Sequence, residues 1–166
     1  AIVETWFEAD PKTGIPKRRT KATLHGPSWK VAALLEVLAE RPGSPVVAFA
    51  SSRQLTMLAG QQAESEGYSV GYIVGGQAAG ARTETVERFQ SGKLDLLCVT
   101  TGAGGVGLTL TAARTAVFLQ RPWSLIEATQ AEDRLHRIGA EPHESIEIID
   151  IVARNTVDSR VRQVLR

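Results

Sequence analysis

Gln130, Arg134 and Arg137 fall at i, i+4 and i+7, a spacing that aligns them on one stripe of a helix at ~100° per residue. Two guanidinium groups about one turn apart suit a phosphate, because each is permanently charged and presents a rigid fork of donors. The plainer alternative is surface arginines paired with Glu127, Glu132 or Asp133, and such pairs contribute little. Ala128, Ala131, Leu135 and Ile138 form a second stripe roughly 110° round the same helix. The arginines would therefore emerge beside a buried face. Upstream, Leu94 to Thr100 reads as a buried strand, and the glycine-rich run from Thr101 to Leu108 follows it. A strand feeding such a loop is how α/β proteins offer backbone N–H groups to a phosphate. A second apolar strand, Thr115 to Gln120, leads into the arginine helix.

Which phosphate is meant depends on spacing. Residues 102–107 satisfy G-x-G-x-x-G, and Arg121 at the next strand's end could hold the 2′-phosphate of NADP. Only Leu108 to Arg114 separate the last glycine from that strand. A crossover helix between parallel strands needs ~10–12 residues with its loops, so the glycine pattern reads as coincidence. No G-x-x-x-x-G-K-[ST] occurs, nor an acidic pair after a strand to hold Mg²⁺. The chain cannot grip a nucleoside triphosphate in P-loop fashion by itself.

The elements that must position these residues alternate. Ser28 is placed to cap a helix to about Glu40, with Val31, Leu34, Leu35 and Leu38 as its apolar stripe. Pro45 to Ala50 is a strand, and the helix after Ser51-Ser52-Arg53 turns Leu55, Leu58, Ala59 and Ala63 inward. Tyr68 to Val74 is a strand stopped by Gly75-Gly76, and a helix from about Ala79 to Ser91 packs Val86 and Phe89. Ser145 to Val152 gives another strand, and Thr156 caps a last helix. Strands and helices alternating over short connections predict an α/β domain, a central mostly parallel sheet with helices on both faces. Residues 1–27 stand apart as a hairpin or linker, with a turn at Asp10 to Gly14 and basic residues at Lys17, Arg18, Arg19 and Lys21. That cluster reads as a solvated strand in preference to a phosphate or targeting element.

With 166 residues, 43% hydrophobic and 22% charged, the chain fits one domain with a sizeable core. A net charge of +1 argues neither for nor against a nucleic-acid partner. The lone Cys98 lies in a strand and excludes an intrachain disulfide. No apolar run approaches the ~18 residues of a membrane span, so the expectation is a soluble intracellular protein. The chain begins without Met, which suggests a piece of something longer.

The run from Gln130 to Gly139, Q-A-E-D-R-L-H-R-I-G, closely resembles Q-A-x-D-R-x-H-R-I-G-Q, the last signature motif of Swi/Snf-type helicase-like ATPases. Thr100 to Leu110 is similar to the preceding motif, S-T-x-A-G-G-x-G-I-N-L, and Trp123 to the tryptophan between the two. Gly75, Arg82 and Phe89 resemble the family's G…R…F element, Val46 to Phe49 its earlier strand, and Ser28 and Lys30 the S-x-K that opens the lobe. The likeness spans about residues 28–162 and implies the second RecA-like lobe, residues 28–166, of a two-lobed, ATP-driven duplex-DNA translocase. In such a protein ATP and Mg²⁺ sit mainly on the first lobe, so no cofactor and a monomeric state are expected for this lobe alone. The resemblance implies that Arg134 and Arg137 are arginine fingers, with Gln130, Gly107 and Thr109 beside the nucleotide. It also implies that Thr100, Thr101, Ser51 and Ser52 contact the DNA backbone. His136 fits the motif and reads as structural or coupling rather than a catalytic base, since no serine or cysteine nucleophile pairs with it. Its compartment would be cytoplasmic if bacterial or viral, nuclear if eukaryotic.

Several positions depart from the pattern. Ala140 replaces the closing glutamine, Thr109 an asparagine, Gly102 a basic residue and Ala50 a serine, and Arg121 to Leu125 fit D-x-W-N-P only in part. Trp123 reads as a packing anchor in preference to a base-stacking platform. Three other readings remain open: a strand-separating DNA or RNA helicase, a non-catalytic nucleic-acid-binding or protein-interaction module, and an NADP-binding enzyme.

Overall fold

The computed structural model describes residues 2–9, 16–23, 28–103, 108–135, 145–154 and 156–164, with the backbone alone for the first two stretches. Strands β1 (Ile2–Ala9) and β2 (Pro16–Thr23) pair antiparallel from Ile2↔Thr23 to Ala9↔Pro16. They form a sheet of their own, and the turn expected at Asp10 to Gly14 lies outside the described residues.

The main body follows the alternating pattern. Helix α1 (Trp29–Ala39) leads to β3 (Val46–Ala50), α2 (Arg53–Ser65), β4 (Val70–Ile73) and α3 (Ala79–Gln90). Then come β5 (Leu96–Thr100), β6 (Thr115–Phe118), α4 (Leu125–Glu132), β7 (Glu147–Asp150) and α5 (Val157–Val164). The five strands β3 to β7 form one sheet in the order β4-β5-β3-β6-β7, and every pairing is parallel. The central strands β3, β5 and β6 are buried throughout, as continuous apolar runs should be when both faces are covered.

Alternation along β3 sorts the core into two halves. Val46, Ala48 and Ala50 meet Val31, Leu34 and Leu38 of α1 and Leu55, Ala59 and Ala63 of α2. Val47 and Phe49 face the other way, toward Phe89 of α3, Ala131 of α4 and Leu135. Phe49 and Phe118, opposite one another in the β3–β6 register, stack with centroids 5.1 Å apart. Gly60 of α2 lacks a side chain for a clear reason: a Cβ there would lie 2.3 Å from the Tyr72 ring. The Cys98 thiol is fully buried, and burial first, then Glu64, pushes its pKa up.

The β5–β6 connection crosses behind β3 without a helix among its described residues. Instead Leu110 and Ala113 lie buried against the second face of the sheet. The short spacing argues against a crossover helix here, and residues 108–114 form none.

Arg41, just past α1, clamps the far edge of the sheet. Its Nε and NH2 donate to the Glu147 carboxylate at 3.1 and 3.0 Å, and NH1 donates to the Val37 carbonyl. The Arg41 hydrogen bond holds the Glu147 pKa below its ordinary value. A carboxylate lowered on folding stabilises above its unfolded pKa, and that stabilisation is lost as pH falls through the folded value. Because Glu147 is 45% exposed, the effect is small. Between about pH 6 and pH 3, urea melts should show the natural chain losing up to ~0.5–1 kcal/mol more stability than Glu147→Gln.

Candidate functional site

The C-terminal ends of β3, β5 and β6 open onto one edge of the sheet, where the strand order places a switch point. Ser51 and Thr101 meet there. The Thr101 N–H donates to the Ala50 carbonyl at 3.0 Å, and the Thr101 hydroxyl lies 3.4 Å from the Ser51 hydroxyl. Ser51 is exposed and Thr101 half-buried, so these hydroxyls face outward together.

Their neighbours are oriented differently. Thr100 is only 6% exposed, and its hydroxyl donates to the Ile73 carbonyl on β4. The Ser52 hydroxyl accepts from the Leu55 N–H and caps α2, while the Ser52 N–H donates to Gln120 Oε1. Thr100 and Ser52 thus brace the edge that Ser51 and Thr101 present.

The arginine segment differs from the sequence expectation in its geometry. A single helix through Gln130, Arg134 and Arg137 was expected, but α4 ends at Glu132 with Asp133 as its C-cap. The chain then tightens: the Leu135 N–H reaches back only to the Glu132 carbonyl, at 3.0 Å. Glu132 and Asp133 put negative charge at a helix C-terminus, where the dipole disfavours it. Arg134 therefore stands in the turn beyond the helix. Its Nε donates 3.2 Å to the Gln130 carbonyl, satisfying one acceptor of the last turn. The buried stripe holds, with Ala128 1%, Ala131 3% and Leu135 0% exposed. Gln130 is exposed and Arg134 half-buried. Arg137, His136 and Ile138 lie outside the described residues, as does Gly107.

The exit of the glycine loop is bound to this turn. The Leu110 N–H donates to the Arg134 carbonyl at 2.9 Å, and the half-buried Thr109 precedes it. At the loop's entrance stands Thr101. The connection thus runs from the hydroxyl edge to the arginine turn.

Two cations matter more than their sequence context suggested. Arg121 is no phosphate ligand here: it donates to Asp150 and Glu132, both at 2.6 Å, and lies 4.4 Å over the Phe118 ring. Burial opposes its charge, but the hydrogen bonds to Asp150 and Glu132 outweigh this and raise its pKa overall. Lys30 donates 2.7 Å to the Leu119 carbonyl and pairs with Asp158 at 2.5 Å, which ties α1 to β6 and α5. Its S-x-K context was the only signal. Trp123 is 59% exposed, so its side chain is no packing anchor within this lobe.

No group of three or more His, Cys, Asp or Glu suited to a metal occurs among the described residues. None of the described helices is long and apolar enough to cross a membrane.

Comparison with known proteins gives this arrangement a family. Residues 29–139 match the helicase conserved C-terminal domain. A putative SWI/SNF-related matrix-associated actin-dependent regulator of chromatin, subfamily A member 3-like 1, from Arabidopsis thaliana is 29% identical over 82% of this chain and 16% of its own length. The chromatin-remodeling ATPase INO80 of Cryptococcus neoformans (strain B-3501A) is 38% identical over 43% of this chain and 4% of its own. The chain thus spans a small part of these relatives. In fold it superposes on the crystal structure of the C-terminal part of the Fun30 ATPase domain with a TM-score of 0.75 at 20% identity, covering 86% of this chain and 48% of that one. The all-parallel sheet, the arginine turn beside the glycine-loop exit and these matches agree: the chain belongs to the helicase conserved C-terminal domain family, as a RecA-like C-terminal lobe of the Swi/Snf type.

Proposed function

We propose that this lobe serves an ATP-driven translocase on duplex DNA, completing a nucleotide site whose P-loop belongs to a first lobe. The observation that carries the reading is the Leu110–Arg134 bond, which links the loop starting at Thr101 to the turn holding Arg134.

Bound ATP would supply a transferable phosphoryl group. Toward it this chain contributes fixed positive charge from Arg134 and Arg137, which offsets charge developing on the phosphates. Gln130 orders that surface, and Gly107 and Thr109 lie alongside the nucleotide. Mg²⁺, like the P-loop, is assigned to the first lobe on the strength of the family resemblance. At the other end, Ser51 and Thr101 hydrogen-bond DNA phosphates, which position a duplex without reading its sequence. Thr100 and Ser52 support that edge from within. The protein works where its DNA is, in the nucleus of a eukaryote or the cytoplasm of a bacterium.

The double variant Ser51→Ala/Thr101→Ala tests the DNA edge. Duplex affinity should fall about tenfold or more, equally for unrelated sequences, since one hydrogen bond to a charged group contributes roughly 1.5–3 kcal/mol. The slope of affinity against salt should stay the same, because no cation is removed. Unchanged affinity would remove these hydroxyls from the interface, and a preference for RNA over duplex DNA would favour an RNA-dependent helicase.

A further inference from the structure

We propose that Arg121 is a positioning residue for the arginine turn: seated on Phe118 and held between Asp150 and Glu132, its guanidinium fixes the end of α4 against the ends of β6 and β7. This rests on the motor-lobe reading above and adds a residue to it.

The geometry is that of a clamp between layers. Nε donates to Asp150 at the end of β7, and NH1 donates to Glu132, the last residue of α4. Side-chain exposures of 19% for Arg121, 29% for Glu132 and 26% for Asp150 place the pairs where water screens them incompletely. The planar fork can hold two carboxylates at set angles while its face lies on an aromatic ring, which a lysine cannot do.

Helix α4 needs such a clamp. It has only 8 residues, no basic residue in its last turn, and acidic residues at the end its dipole disfavours. Glu132 is thus a destabilising terminal charge that Arg121 turns into an anchor. Arg134 follows two residues later, bonded through Nε to Gln130 and through its carbonyl to Leu110. Where Glu132 is held, the turn carrying Arg134 is held.

The test uses the protein carrying both lobes, with duplex DNA and ATP. Glu132→Gln should lower kcat about tenfold to a hundredfold, because a displacement near 1 Å at a reacting group costs that order, with KM within about twofold. Glu147→Gln breaks an arginine–carboxylate pair on the same strand β7, far from the turn, and should leave kcat within about twofold. If Glu132→Gln does not fold, Arg121→Lys carries the test on the same thresholds. A kcat loss under about threefold in the folded variant, or an equal loss in Glu147→Gln, overturns the positioning role. Arg134→Ala measured alongside separates the two readings. If it retains more than about a tenth of the activity, the finger assignment fails. If it abolishes turnover while Glu132→Gln does not lower it, only the clamp fails.

Discussion

Arg134→Ala is expected to lower DNA-stimulated ATP turnover by ~10³-fold or more in the protein that carries both lobes. The reasoning is electrostatic. A guanidinium brought to the phosphates in a site emptied of water offsets charge that grows only as the phosphoryl group transfers. The loss should therefore fall on kcat and kcat/KM alike, since the missing contact belongs to the transition state. Arg134→Lys should restore little, because a point charge on a flexible stem cannot reproduce the fork. Arg137→Ala should behave in the same way, and a loss below about tenfold for either would count against its finger role. The fold itself should survive. Arg134 is only half-buried, and the bond that fastens the turn to Leu110 is made by its backbone carbonyl, which alanine keeps.

Phe118→Ala is expected to be the most destabilising of the changes considered. Phe118 is 1% exposed, stacks on Phe49 and underlies Arg121 at 4.4 Å. Truncating a buried phenylalanine costs ~3–5 kcal/mol through lost contacts and the cavity left behind. For a chain of this size each kcal/mol moves Tm by roughly 2–4 °C, so thermal melts should fall by about 6–20 °C. The deletion also removes the platform of the Arg121 clamp. A Tm shift under about 3 °C would mean that the second half of the core does not rest on this ring pair.

Much of the sheet was legible because burial leaves a local mark. The stripe Val31, Leu34, Leu38 and the unbroken apolar runs of β3 and β5 can be read from neighbours along the chain. The same periodicity misled at α4. Residues 128, 131 and 135 keep helical spacing, so nothing in the stripe marks the stop at Glu132. The stop comes instead from the acidic pair at the helix end and from the bond between Arg134 and Leu110, which are distant in sequence. Thr100 and Thr101 looked alike as adjacent hydroxyls. A strand buried on both faces shows no alternation, so only the fold reveals that Thr100 points toward β4 and Thr101 toward the edge. Arg121, Glu132 and Asp150 come from a strand end, a helix end and another strand end, a juxtaposition that no local spacing encodes.

On the proposed reading, this lobe contributes charge to a nucleotide held by another. The most direct measurement is steady-state ATP turnover with duplex DNA, for the 166-residue chain alone and for the protein in which a P-loop lobe accompanies it. The chain alone should show no turnover above background, and the two-lobed protein should show DNA-stimulated turnover that disappears with Arg134→Ala. Turnover by the isolated chain, or DNA-stimulated turnover that survives the loss of Arg134, would contradict that reading.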